Sequence, residues 1–173
     1  MKRILSFWYL SAVLINIIAI SNNVQAQVTE DWATRYNGPS SGADQSNAIV
    51  VDNFGNVYVT GYSDGSTPFW DYATIKYDSV GVFQWVQRYN GSGSSFDVAY
   101  AIAVDHLGFI YVTGGSMGSG SNYDYLTIKY SSSGDTIWTR RYNGPKNGLD
   151  KAYSIVLDDT GNVYITGESE GLI

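Results

Sequence analysis

Three aspartates spaced 53 residues apart, Asp44, Asp97 and Asp150, have the spacing best suited to joint chemistry in this chain. If a repeated unit presents each of them at the same depth towards a common axis, they make a ring of carboxylates that could hold calcium or a polycation, since calcium takes six to eight oxygen ligands. The competing role is local: each acid accepts backbone N–H groups and closes its own loop. Other chemistry is sparse. The single histidine, His106, lies in a turn whose sister copies carry Asn53 and Asp159, so neither a Ser-His-Asp triad nor a histidine-bound zinc has a second member. There is no cysteine, which removes disulfides, thiol catalysis and Cys-ligated metals. The glycine-rich run Gly114–Gly120 leads from a strand into a loop, with neither a following helix nor a P-loop lysine, and so makes no phosphate cradle. No cofactor is expected, calcium being the one ion the acids could serve.

The same spacing governs most of the chain. DYATIKYDSVGVFQWVQRYNG from Asp71 to Gly91 returns as DYLTIKYSSSGDTIWTRRYNG from Asp124 to Gly144. Trp32, Trp85 and Trp138 keep the interval, as do Arg35, Arg88 and Arg141, and so do NVYVTG from Asn56, FIYVTG from Phe109 and NVYITG from Asn162. A period of this length without insertion or deletion is one supersecondary unit used repeatedly. Within it the hydrophobic alternation has a period of two, which is strand and not helix. Ala48–Asp52, Asn56–Gly61, Asp71–Asp78 and Phe83–Tyr89 read as four strands. The Asp-x-x-Gly turns beginning at Asp52, Asp105 and Asp158 join the first strand to the second, with Gly where positive φ is needed.

A four-stranded antiparallel sheet that is apolar on both faces needs a neighbour on each side, and about 50 residues per unit is the size of a β-propeller blade. The 15 Tyr and 5 Trp suit the wedge between fanned sheets. Trp85 and Trp138 are expected between blades, with Lys76 and Lys129 nearly opposite them and covering the indoles.

These motifs, G-N-V-Y-V-T-G followed by D-Y-x-T-I-K-Y and W-x-x-R-Y-N-G, resemble the bacterial β-propeller repeat family abbreviated SBBP, over essentially all of residues 30–171. The resemblance implies an extracellular propeller of near seven blades and carries no common catalytic set. The fold expected is therefore all-β, a propeller of four-stranded blades incomplete in this chain. It comprises a lone fourth strand over 32–37, a blade over 48–90, a blade over 101–143 and half a blade over 154–173. Eleven strands do not close a ring, so the remaining blades are expected in a longer chain, with the fourth strand at the front completing the last of them.

Residues 1–26 read as a signal peptide. Lys2 and Arg3 precede the apolar stretch Ile4–Ile20, and Val24-Gln25-Ala26 supplies a small-residue cleavage site. Export to the cell surface, the extracellular space or the periplasm is expected, with no membrane span after cleavage. Of 10 Lys plus Arg, two lie in this segment, leaving 8 against 16 Asp plus Glu, a net charge near −8. That balance, with cations recurring singly, speaks against nucleic acid.

The strand order divides the connections between two rims. The short Asp-x-x-Gly turns share one. The longer connections, Gly38–Asn47, Tyr62–Trp70, Gly91–Tyr100 and Gly115–Tyr123, share the other, which is the expected working face because binding residues concentrate on loops held by a rigid scaffold. Its candidates are the aromatics Phe69, Trp70, Phe96 and Tyr123, together with the three aspartates. The reading is a secreted or surface scaffold that binds a protein or glycan partner without catalysis. The alternatives are a propeller enzyme, either a quinoprotein-like oxidoreductase or a polysaccharide lyase, and a structural spacer within a larger surface protein.

Overall fold

The computed structural model describes residues 30–171 apart from 66–68, 94 and 121. The expected signal peptide lies outside the described residues. Ten strands follow one another: β1 (Asp44–Val51), β2 (Val57–Asp64), β3 (Trp70–Tyr77), β4 (Phe83–Tyr89), β5 (Asp97–Val104), β6 (Ile110–Met117), β7 (Tyr123–Tyr130), β8 (Thr136–Tyr142), β9 (Asp150–Leu157) and β10 (Val163–Ser169). They form antiparallel meanders β1-β2-β3-β4 (blade 1) and β5-β6-β7-β8 (blade 2), and the pair β9-β10 (blade 3). β1 packs on β5 and β5 on β9, so the first strands converge while the sheets fan outwards. The blades do not close into a ring. No helix among the described residues is long and apolar enough to cross a membrane.

The turns hold as their chemistry demands. Asp52 accepts the N–H groups of Phe54 and Asn56 at 2.8 and 2.9 Å, and Gly55 takes φ of 80°. Asp105 and Asp158 repeat the arrangement, and each of the three also accepts the hydroxyl of a second-strand tyrosine, Tyr58, Tyr111 or Tyr164. An exposed polar turn is thereby tied to an aromatic that belongs to the seam between sheets.

Blades 1 and 2 meet along an apolar seam. Tyr58 and Tyr72 of blade 1, flanked by Trp85 and Tyr89, pack on Ile110, Val112, Leu126, Ile128 and Tyr130 of blade 2. Tyr72 is wholly buried and satisfies its hydroxyl by donating to the Leu126 carbonyl at 3.2 Å, as a buried phenol must. Trp85 packs at 6.3 Å from Tyr130, lies over Gly134 and donates its indole N–H to the Ser132 carbonyl.

Three expectations need correction. First, the inner strands begin at Asp44, Asp97 and Asp150, not at Ala48, Ala101 and Ser154, because pairing continues past a bulge. The three aspartates therefore open strands instead of lying in the loops before them. Second, Trp32–Asn37 forms no strand. Both third-position strands, β3 and β7, already carry β4 and β8 on their outer edges, so among the described residues the segment has no ladder to join. It nonetheless packs where a preceding blade's fourth strand would: Trp32 lies 6.0 Å from Tyr77 and over Gly81, as Trp85 lies on Tyr130 and over Gly134. Third, Lys76 and Lys129 do pair across the ladder with Trp85 and Trp138, yet their ammonium groups sit over other rings. Lys76 covers Tyr58 at 5.3 Å, and Lys129 covers Phe109 and Tyr111 at 4.2 and 4.8 Å, since the second strand offers a ring on the other flank of the same lysine.

Candidate functional site

The three period-matched aspartates act within their own blades. Asp44, Asp97 and Asp150 each accept the N–H of the glycine six residues before, Gly38, Gly91 and Gly144, at 2.9, 2.6 and 2.7 Å. Asp97 and Asp150 are fully buried, whereas Asp44 is exposed. A Cβ on Gly91 would stand 2.5 Å from Ser116 Oγ and 2.7 Å from Asp97 Oδ1, which explains the glycine of the repeated Tyr-Asn-Gly. The carboxylates thus turn back into their loops, and the geometry favours loop closure over a shared ring. Among the described residues, no three acidic or histidine side chains gather closely enough to hold a metal. Burial pushes the Asp97 carboxyl above its usual range, against the opposing pull of the Gly91 N–H.

A second polar unit went unread in the sequence. Arg88 on β4 pairs with Asp71 on β3 at 3.0 Å and donates to Ser63 Oγ and its carbonyl on β2 at 2.6 and 2.8 Å. In blade 2, Arg141 repeats this with Asp124 at 2.8 Å and Ser116. Arg88 also donates to the Tyr36 hydroxyl at 3.3 Å. The period of Arg, Asp and Ser together was visible, but three strands had to be aligned before their meeting could be seen. These charged residues are therefore internal struts, and their chemistry is directed inwards.

The long-loop rim gathers the aromatic candidates. Trp70 stacks on Tyr62 with centroids 4.4 Å apart, and Phe96 closes edge-on against Trp70 at 5.0 Å and Phe69 at 5.1 Å. This cluster caps the seam of blades 1 and 2 and remains partly exposed. Tyr123 stands apart, on the seam of blades 2 and 3, where the Lys151 ammonium lies 4.4 Å from its ring centroid. Gly115 makes room there, since its missing side chain is where the Lys151 stem and the Tyr123 ring come together. The four aromatic candidates thus divide between two neighbouring seams of one rim.

The residues missed were those on the bulges. Asn47, Tyr100 and Tyr153 are the extra residues opposite a continuous second strand, and a bulge re-aims its side chain. Asn47 donates to the Ala99 carbonyl of blade 2 at 2.8 Å, and Tyr100 packs on Tyr153 of blade 3 at 5.2 Å. Tyr153 donates to Glu168, and that hydrogen bond, together with burial, pushes its phenol up to about 12. The sequence signal available was a break in strict alternation before Ala48, Ala101 and Ser154.

Converging meanders with tyrosine-filled seams define a propeller-type all-β protein. The model of the SBBP β-propeller repeat matches residues 31–69, 84–120 and 137–173, and the chain belongs to that family. The matches start 53 residues apart (84 − 31 and 137 − 84) and open on the segment carrying the repeated tryptophan, so the family unit runs from the fourth strand of one blade into the next. No curated protein matches the chain.

Proposed function

We propose that this protein is an exported, non-catalytic binding scaffold whose long-loop rim holds a protein or glycan partner. The observation that carries the reading is the partly exposed cluster of Tyr62, Phe69, Trp70 and Phe96 on the rim, at positions that vary between repeats while the framework around them does not. Flat rings held by a rigid sheet end present area at little entropic cost, and partner surfaces are taken up on such anchors. The periodic acids and arginines, in contrast, are bound into loop closure and blade bracing. Calcium, should it bind, would have to be met by carboxylates turned away from these contacts.

The test is titration of the purified full chain with a panel of oligosaccharides, read by tryptophan fluorescence, alongside Trp70→Ala. Saturable quenching that Trp70→Ala abolishes assigns a glycan. With no quenching, a photo-reactive phenylalanine in place of Phe69 is expected to crosslink a protein on the cell surface. If neither occurs, the rim is not the working face. Turnover of a substrate that survives stringent repurification would replace the scaffold reading with that of a propeller enzyme.

A further inference from the structure

Each blade has two unlike faces, and the repeat makes their roles comparable position by position. The face towards the following blade carries Tyr58 in blade 1 and Tyr111 in blade 2, which are 0% and 3% exposed because the next blade covers them. Their counterpart in blade 3, Tyr164, is 54% exposed, and Val156 beside it is 58% exposed. The face towards the preceding blade carries Ile110 and Val112 in blade 2, both wholly buried against blade 1. Their counterparts Val57 and Val59 instead line an open cleft of about 390 Å³ on blade 1, beside Ile49, which is 67% exposed. The outer side of that cleft is already roofed by Trp32 and Tyr36, in the places Trp85 and Tyr89 hold over blade 2.

The two uncovered faces are therefore the two halves of a seam this chain builds internally between blades 1 and 2 and between blades 2 and 3. We propose that a second copy of the chain occupies the cleft. Its β9–β10 face, led by Tyr164 and Val156, docks on Ile49, Val57 and Val59 as Tyr58 and Val50 dock on blade 2. The contact joins two different surfaces, so it is heterologous, and each bound copy presents a fresh face to a further one. In the junction β9 and β10 take the first and second strand places and Trp32–Asn37 takes the fourth. About one strand spacing of 4.8 Å stays unfilled between them. The junction buries less than an internal seam, so association is concentration-dependent.

The experiment is sedimentation equilibrium of the full chain across a micromolar range, with Ile49→Glu and Tyr164→Glu. Both side chains are exposed in a single copy, so folding is retained, and far-UV circular dichroism checks it; Val156→Glu stands in for Tyr164→Glu if needed. Wild type is expected to form an open series of oligomers. A charge buried in either face weakens association by roughly tenfold or more, so each variant alone is monomeric. An equimolar mixture of Ile49→Glu and Tyr164→Glu, which retains one intact cleft and one intact tyrosine face, forms a dimer and nothing larger. A monomeric wild type overturns the proposal, as do single variants that assemble like wild type or a mixture that stays monomeric.

Discussion

Asp97 is an ionisable group placed where water cannot reach it, yet its job is to hold one backbone N–H. Burial raises its folded-state pKa above the unfolded value, so the folded protein binds the proton more tightly. The stability linked to this group is fully present at pH below the ordinary carboxylate value, near 4, and is lost as pH rises through the folded value. Asp97→Asn keeps an acceptor for the Gly91 N–H and removes the titration. The unfolding free energy of the variant minus that of wild type is therefore expected to increase with pH between about 4 and 7. Urea unfolding at several pH values measures it, and a flat difference refutes it. Asp158 behaves oppositely: hydrogen bonds from Asn162 and Thr160 hold its carboxyl well below the usual range, so its contribution is present above the unfolded value and lost as pH falls. Both residues were visible as period-matched acids. Their opposite pH behaviour was not, because burial depends on which sheet lies over each of them.

At the scale of the element, the Val-Tyr-x-Thr-Gly strand was legible from its alternation, and the turn before it from Asp and Gly. The glycine that ends it has a reason found only across the ladder. Opposite Gly61, Gly114 and Gly167 the inner strand bulges, and a Cβ at these positions would meet the carbonyl oxygens of Gln45, Val98 and Lys151 at 1.9, 2.1 and 1.9 Å. Backbone cannot swing aside as a side chain can. Gly114→Ala is expected to cost about 3 kcal/mol, whereas Gly171→Ala, with open space around it, should stay within roughly 0.5 kcal/mol of wild type. Chemical denaturation of the two variants decides this, and equal stabilities would remove the bulge as the cause. The long-loop rim follows from the same bulges. Extending the inner strands back to Asp44, Asp97 and Asp150 shortens the loops that the sequence suggested and brings Asn47, Tyr100 and Tyr153 to that end of the sheets.

For the molecule as a whole, the seams set stability, and the segment before β1 belongs to one of them. Trp32 covers Tyr77 and Gly81 without pairing to any strand, so its contribution is packing alone. Trp32→Ala should destabilise the chain by about 2 kcal/mol, less than for a fully buried tryptophan because one side remains open to water. Its effect should appear in thermal unfolding as a lower midpoint without loss of β-sheet signal at low temperature. An unchanged midpoint would mean that the segment is not held on blade 1.

By itself the sequence determined the repeat, the four-strand unit, the positions of the turns and the tyrosine-rich seams. Each of these is written in local chemistry: a period of two, an Asp-x-x-Gly turn, or an apolar residue recurring every 53 positions. The tertiary structure decided what each recurring residue faces. It turned Asp44, Asp97 and Asp150 back onto glycine N–H groups, joined Arg88 to Asp71 and Ser63, and set Lys76 over Tyr58 instead of Trp85. It also drew Phe69, Trp70 and Phe96 together while leaving Tyr123 on the next seam. The physical reason is that a period fixes which positions are equivalent. The partners they meet depend on strand register, on a one-residue bulge that reverses alternation, and on the neighbouring blade.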